Sequence, residues 1–111
     1  MSVAEYTQVS VLTNANISYE GRCSSHTILF DDGSKKMLGI ILPNDDNISE
    51  YHFETHTSER IEILSGECQV KVSTESDYQN YRPGQSFLVA GNSNFKLKTA
   101  DIIQYICHLE G

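Results

Sequence analysis

The chain has 111 residues, a formal net charge of -7 at pH 7 and 39% hydrophobic residues. This length supports one domain with a modest core, and the composition is that of a globular protein rather than a disordered or fibrous one. The acidic balance argues against a nucleic-acid partner, because it repels a phosphate backbone. We therefore expect one domain over residues 1–111, with its core at about 11–109.

Short β-type segments separated by turn residues follow one another along the chain, and no stretch has the periodicity of a helix of ten or more residues. The sequence therefore predicts an all-β fold, either a sandwich or a closed barrel. In chain order the predicted strands are residues 9–12, 17–19, 26–30, 36–42, 51–55, 60–64, 69–73, 86–89, 95–99 and 102–109.

Turn chemistry separates several of these strands. Residues 31–34 combine two aspartates with Gly33, which predicts a hairpin, and residues 65–67 place Gly66 between two strands in the same way. Residues 82–85 set a proline ahead of a glycine, as a turn requires. The polar residues 44–49 break the β pattern and predict an exposed loop.

Alternation along residues 51–55 assigns the faces of one strand. Tyr51, Phe53 and Thr55 share one side, while His52 and Glu54 share the other. We expect the aromatic side to face the interior. The same alternation predicts that the strands at 69–73 and 95–99 are half buried.

The three cysteines, Cys23, Cys68 and Cys107, are odd in number and widely spaced, so we expect reduced, structural thiols. The first residues lack the pattern of a secretory signal, and the longest apolar run is far shorter than a membrane span. The prediction is a cytoplasmic protein without a membrane partner, in which the sequons at Asn16 and Asn47 carry no weight.

A set of short sequence motifs resembles those of a known family, whereas the composition alone points to no family. They are Asn16-Ile17-x-Tyr19-x-Gly21-Arg22, Ser25-x-Thr27, Phe30-x-Asp32-Gly33-Ser34, Lys36-x-Leu38-Gly39-Ile40, Glu50-Tyr51-x-Phe53-x-Thr55, Glu59 followed by Ser65-Gly66, Gly84-Gln85-Ser86-Phe87 and Tyr105-x-Cys107. With them the chain resembles the small monocupin pyrimidine/purine nucleoside phosphorylases from about residue 11 to 109. Two departures are a longer segment between Pro43 and Glu50, and Ala90 in place of a common proline.

The resemblance implies a single cupin-type, RmlC-like jelly-roll β-barrel. It also implies phosphorolysis, in which inorganic phosphate is the co-substrate and attacks the anomeric carbon of a purine or pyrimidine nucleoside. Such a reaction needs a phosphate cradle, groups that hold the sugar and a platform for the base, and it needs neither a cofactor nor a metal.

Residue chemistry suggests roles within that scheme. Glu59 is the catalytic candidate, because a carboxylate accepts hydrogen bonds from sugar hydroxyls and stabilises positive charge developing on the ring. A surface glutamate that follows a turn is the alternative for this residue. Arg22 and Lys36 are candidates for binding phosphate, together with the hydroxyls of Ser25 and Thr55. For each of the two cations a solvated surface position is the alternative.

Aromatic residues at strand positions supply candidates for stacking on the base, although each could instead fill the core. They are Tyr51, Phe53, Phe87, Phe95 and Tyr105. His26 and His108 could titrate near neutrality as acids for the leaving base, and no spacing distinguishes them.

Two other functions remain open on the sequence. The chain could be a non-catalytic cupin that binds a small metabolite, or a metal-dependent cupin enzyme. Typical metal-binding cupins place histidines where this chain has His52, Glu54 and Phe95, so a site of His52, Glu54 and Glu59 is the metal alternative. A homodimer is also expected, because a second copy would bury apolar surface that so small a core cannot.

Overall fold

The computed structural model describes residues 5–43 and 50–110. These residues form eleven β-strands and one short 3-10 turn. The strands are β1 Ser10–Val11, β2 Asn16–Ser18, β3 Cys23–Leu29, β4 Lys35–Ile41, β5 Tyr51–Glu54, β6 Ser58–Ser65, β7 Cys68–Val72, β8 Gln79–Tyr81, β9 Ser86–Val89, β10 Asn94–Lys98 and β11 Ile103–Glu110, and the turn is Tyr19–Gly21. The predicted exposed loop at 44–49, with the Asn47 sequon, lies outside the described residues.

The strands form two sheets whose ladders are entirely antiparallel among the described pairs. The larger sheet has the order β1-β3-β4-β11-β6-β9, with β2 also paired to β3, and the smaller has the order β5-β10-β7-β8. This double-sheet arrangement is the jelly roll of a cupin-type fold. The all-β prediction is confirmed, although the hydrogen bonding forms two separate sheets instead of one closed ladder.

The core lies between the two sheets. Ile63 and Ile103 of the larger sheet and Val70 and Leu97 of the smaller are at most 1% exposed. Apolar residues reach this layer at every second position, because side chains alternate across a strand. The faces predicted for 51–55 are confirmed, since Tyr51 and Thr55 are buried, Phe53 is half-buried and the two intervening residues are exposed.

Two local predictions need correction. The segment predicted as a strand at 17–19 turns at Tyr19, where Tyr19, Glu20 and Gly21 all have positive φ. The predicted hairpin at 65–67 instead carries the chain from β6 in the larger sheet to β7 in the smaller one. Alternation is the same on both sides of such a crossing, so it does not reveal that the chain changes sheets.

The strand β8 was not predicted, because its residues Gln79, Asn80 and Tyr81 have no apolar alternation. It is an edge strand that pairs only with β7 among the described residues. The hairpin predicted at 31–34 is confirmed, since β3 and β4 pair directly across it. No helix in the described part of the chain is long and apolar enough to cross a membrane.

Candidate active site

A cavity of about 230 Å³ opens between the two sheets. Its walls come from β2, β3, β4, β6 and β11 on one side and from β5 and β10 on the other. The larger sheet contributes most of the polar groups of the cavity, and the smaller sheet contributes Phe53, Phe95 and the carboxyl group of Glu54. The cavity therefore has a polar wall facing an aromatic one.

One cross-strand row runs through the polar wall. Asn16 pairs with Ser25, Ser25 with Gly39, and Gly39 with Tyr105, so the row crosses four neighbouring strands. Directly paired residues share a face of the sheet, which places these side chains side by side. The Asn16 amide donates to Ser25 Oγ at 3.2 Å. The Ser25 side chain lies near the Tyr105 hydroxyl and acts to lower its pKa, against the larger effect of burial.

Glu59 enters the same wall from β6. Its Oε1 accepts a hydrogen bond from Cys107 Sγ at 3.3 Å. Burial raises the pKa of the Glu59 carboxyl above its ordinary value, and the thiol hydrogen bond and the charge of His56 partly oppose that rise. A carboxylate in this position is partly desolvated, so its interaction with a positive charge in the cavity is strengthened.

The two groups beside Glu59 and Ser25 remain protonated at neutral pH. Burial raises the pKa of the Cys107 thiol, and the neighbouring Glu59 charge raises it further. Burial likewise raises the pKa of the Tyr105 hydroxyl. Both groups therefore act as neutral hydrogen-bond partners and not as anionic nucleophiles.

The aromatic wall belongs to a longer series of ring contacts. Phe53 and Phe95 have ring centroids 5.1 Å apart, and Tyr19 packs beside Phe53 at 6.0 Å. Phe53 is only half-buried, so its ring is accessible from the cavity. An accessible ring backed by a second ring gives a rigid face on which a flat group can stack.

Of the predicted site residues, the structure brings together Glu59, Ser25, Phe53 and Tyr105 around this cavity. Tyr51, Thr55 and Phe87 lie outside its lining. The Tyr51 hydroxyl donates to the Leu42 carbonyl at 2.6 Å, and Thr55 Oγ1 donates to the Ala90 carbonyl at 2.6 Å. Phe87 is buried beside Phe95, with their centroids 5.4 Å apart. These three residues support the two sheets around the site.

Neither predicted phosphate-binding cation lies in the cavity wall. Arg22 is at the start of β3, where its backbone N–H bonds the Tyr19 carbonyl and its own carbonyl accepts from Leu42. Lys36 lies on the opposite face of β4 from the cavity-lining Met37, and its Nζ is 2.7 Å from His108 Nδ1. The described lining residues include Glu54 and Glu59 but neither lysine nor arginine.

The two histidines proposed as acids also face away from the cavity. His26 is exposed, and His108 is buried on the outer face, with its Nε2 2.9 Å from Glu62 Oε1. For the metal alternative, His52 is exposed while Glu59 lies in the wall. Among residues 5–43 and 50–110, no three His, Cys, Asp or Glu side chains come together so that they could hold a metal ion.

Sequence reasoning gave no role to Asn16 and Cys107, which line the cavity, or to Gly39, which lies between Ser25 and Tyr105 in the cross-strand row. All three occur in the sequence motifs that carry the family resemblance, and that was the available signal. Their role depends on register between strands that are distant in sequence, since Asn16 and Tyr105 are joined only through Ser25 and Gly39.

Comparisons with known proteins agree with this fold and with the family resemblance. The family model for pyrimidine/purine nucleoside phosphorylase matches residues 13–109. Over 111 residues and the whole of both chains, the protein is 60% identical to pyrimidine/purine nucleoside phosphorylase 1 of Psychrobacter cryohalolentis. It is 48% identical, again over both full chains, to the pyrimidine/purine nucleoside phosphorylase of Acinetobacter baylyi.

Solved structures give the same result for the fold. A crystal structure of a protein of unknown function from Acinetobacter sp. ADP1 matches with a TM-score of 0.92 and 46% identity, covering 97% of this chain and 100% of that one. The cupin domain of Schizosaccharomyces pombe Cnp3 matches with a TM-score of 0.62 over 86% of this chain and 64% of that one. At 14% identity, the second match shows the fold alone.

Proposed function

The chain belongs to the pyrimidine/purine nucleoside phosphorylase family, and from this premise we propose that it cleaves purine and pyrimidine nucleosides with inorganic phosphate. The observation that carries the proposal is the half-buried Glu59 carboxylate in a cavity with hydrogen-bonding groups along one wall and aromatic rings on the other. The products are the free base and a pentose 1-phosphate.

In the proposed reaction a phosphate oxygen forms a bond to the anomeric carbon as the bond from that carbon to the base nitrogen breaks. The bonding electron pair leaves with the base, which then takes up a proton. Positive charge develops on the sugar ring in the transition state. Stabilising that charge and aligning phosphate with the anomeric carbon provide the catalysis, so no covalent nucleophile is needed.

Glu59 is the catalytic residue in this proposal. Its carboxylate lies where it can accept hydrogen bonds from sugar hydroxyls, and the Cys107 thiol occupies one lone pair of Oε1 from behind. That contact limits the orientations open to the carboxylate. A fixed, partly desolvated anion stabilises an oxocarbenium-like ring more than it stabilises the neutral substrate, and this difference accelerates the reaction.

Phe53 is the proposed platform for the base, with Phe95 behind it. Stacking on a ring face discriminates little between bases, because every base has a π face. This property suits an enzyme that accepts both purines and pyrimidines. The cavity of about 230 Å³ is slightly smaller than the pockets of about 300 Å³ and more that enclose a small ligand, so part of the substrate extends to the mouth.

Phosphate is bound in this proposal by neutral donors. Beside the row of Asn16, Ser25 and Tyr105, the described cavity wall offers the hydroxyls of Ser18 and Ser24 for phosphate, and no lysine or arginine. Neutral donors bind an anion when several of them converge on it. The reaction uses phosphate as co-substrate and no cofactor.

Location and assembly are part of the same proposal. The three cysteines are buried and free, which fits a reducing cytoplasm.

The face of β4 that points away from the cavity carries Leu38 and Ile40, which are 38% and 44% exposed. A homodimer would cover apolar side chains of this kind. A sedimentation mass equal to one chain at micromolar concentration would contradict the dimer.

The function is tested by incubating purified protein with uridine, inosine and other nucleosides, with and without phosphate. We expect free base to appear only with phosphate, in a one-to-one ratio with pentose 1-phosphate. Release of base without phosphate would indicate a hydrolase, and the absence of release from every nucleoside would indicate a binding protein. Either result would reject the phosphorylase.

A further inference from the structure

Gly39 occupies an unusual position for a glycine, in the interior of the seven-residue strand β4. Its φ lies outside the positive range that favours glycine. Glycine weakens the interior of a strand, because it has more conformational freedom to lose and no side chain to pack. The backbone of β4 therefore gives no reason for a glycine at this position.

The side chain of Tyr105 provides the reason. A Cβ added at position 39 would lie inside 3.0 Å of the Cζ, Cε1 and hydroxyl oxygen atoms of Tyr105. The Tyr105 ring thus lies across β4 in the space that a side chain at position 39 would occupy. Gly66 differs, because it has a positive φ and its added Cβ would meet the Ile102 carbonyl oxygen.

The crossing explains how Tyr105 reaches a group two strands away. Ser25 and Tyr105 are both direct cross-strand partners of Gly39, from β3 and β11 respectively. The Tyr105 ring spans the intervening strand, and its hydroxyl meets the Ser25 side chain, which in turn accepts from Asn16. The ring and both polar partners line the cavity.

We propose that Gly39 is a specificity-determining positioning residue: by lacking a side chain, it seats the Tyr105 ring in the cavity wall, so that Asn16, Ser25 and the Tyr105 hydroxyl form one row that binds the sugar of a nucleoside. This inference rests on the proposed function for the identity of the ligand. Gly39 itself contacts no substrate. It acts through Tyr105, and a methyl group at position 39 would push the ring into the space that the sugar occupies.

The test is a double-mutant cycle of Gly39→Ala, Tyr105→Leu and the double variant. The measurements are the dissociation constants of uridine and inosine by calorimetry, kcat and KM for each nucleoside, and denaturant unfolding. Gly39→Ala should lower kcat/KM by about 100-fold and weaken nucleoside binding, since a displacement of about 1 Å in a positioning group has that effect. In the Tyr105→Leu background the same substitution should change both quantities by less than about twofold, because the overlap is gone.

Tyr105→Phe is the matched variant that keeps the ring and removes the hydroxyl. It should weaken nucleoside binding about tenfold, the loss of one hydrogen bond to the sugar, while unfolding stays close to wild type. Unfolding should show that Gly39→Ala destabilises the wild-type background and not the Tyr105→Leu background. This readout requires no activity.

An equal loss from Gly39→Ala in both backgrounds would overturn the inference, as would unchanged nucleoside affinity in Gly39→Ala alone. Wild-type protein that binds no nucleoside would overturn it too. The proposed function fails separately: nucleoside binding with the expected coupling, but without phosphate-dependent cleavage, would reject the phosphorylase and retain the role of Gly39.

Discussion

The two faces of the larger sheet carry opposite chemistry on the same strands. The inner face of β6 and β11 presents Glu59 and Cys107 to the cavity, and the outer face presents their sequence neighbours Arg60 and His108. On β4, Met37 lines the cavity while Lys36 lies behind it. Neighbouring residues of one strand therefore face different surroundings. The cavity wall contains no lysine or arginine among its described residues, whereas the outer face has a cluster of cationic side chains.

The outer cluster is a connected ionic network with its own internal pairing. Lys36 donates to His108 Nδ1 at 2.7 Å, which leaves the Nε2 proton for Glu62 at 2.9 Å, and Arg60 approaches Glu62 at 4.0 Å. His108 and Glu62 are less than a tenth exposed. Because its groups are matched with one another, this network holds the outside of the sheet together, whereas Glu59 and Cys107 on the inner face line the cavity.

Removing the carboxylate of the inner face should have the largest effect on activity. Glu59→Gln preserves the shape of the side chain and removes its charge, so kcat/KM should fall by about 100- to 1,000-fold through loss of transition-state stabilisation. The measurement is phosphate-dependent base release under initial-rate conditions. An active Glu59→Gln enzyme would place the chemistry elsewhere.

A second prediction concerns the thiol behind that carboxylate. Cys107→Ala removes the hydrogen bond to Glu59 and should lower kcat about tenfold with little change in the nucleoside KM, since the carboxylate loses a fixed orientation. Cys107→Ser is the control, because a hydroxyl can donate in place of the thiol and should restore most of the rate. If both variants lose activity equally, packing at position 107 matters and the hydrogen bond does not.

Removing a charge from the outer face should change stability but not activity. Lys36→Met keeps the length of the side chain and removes its charge, and it should leave kcat and the KM for phosphate within about twofold of wild type. Loss of the bond to His108 should lower the free energy of unfolding by about 1 kcal/mol. A large rise in the KM for phosphate would return Lys36 to the phosphate site that the sequence suggested.

The pH dependence of folding stability should also differ between residues of the inner and the outer face. Burial raises the pKa of Glu59, so its contribution to folding is full below the ordinary carboxyl range and is lost as the pH rises through the raised pKa. Glu59→Gln should therefore be more stable than wild type at neutral pH, with the difference vanishing in acid. Urea unfolding across pH measures this, and a less stable variant at neutral pH would contradict it.

His108 carries the opposite sign. Burial lowers its pKa, and the charges of Lys36 and Arg60 lower it further, against the opposing pull of Glu62. The unfolded chain takes up a proton near pH 6.5 and the folded chain resists until lower pH, so stability falls as the pH drops through 6.5. This acid-side loss should be smaller in His108→Gln than in wild type, and an equal loss in both would assign it to other groups.

Local patterns predicted much of the fold and only part of the site. Alternation and turn residues located nearly all strands and the correct faces of residues 51–55, because both depend on neighbours in sequence. Of the residues predicted for the site from side-chain type, Glu59, Ser25, Phe53 and Tyr105 line the cavity. The role of Lys36 was harder to predict, because the sequence motif that contains it does not show which face of the strand its side chain occupies. The partnerships of Gly39 with Tyr105 and of Cys107 with Glu59 depend on pairing across strands far apart in sequence, which periodicity does not encode.

Phosphorus NMR can follow the formation of pentose 1-phosphate from inosine and phosphate by wild type, Glu59→Gln and Lys36→Met in parallel. We expect rapid formation by wild type and by Lys36→Met, and almost none by Glu59→Gln, if the active site is the cavity between the sheets. Loss of product in Lys36→Met with retention in Glu59→Gln would move the active site to the outer face and contradict this expectation.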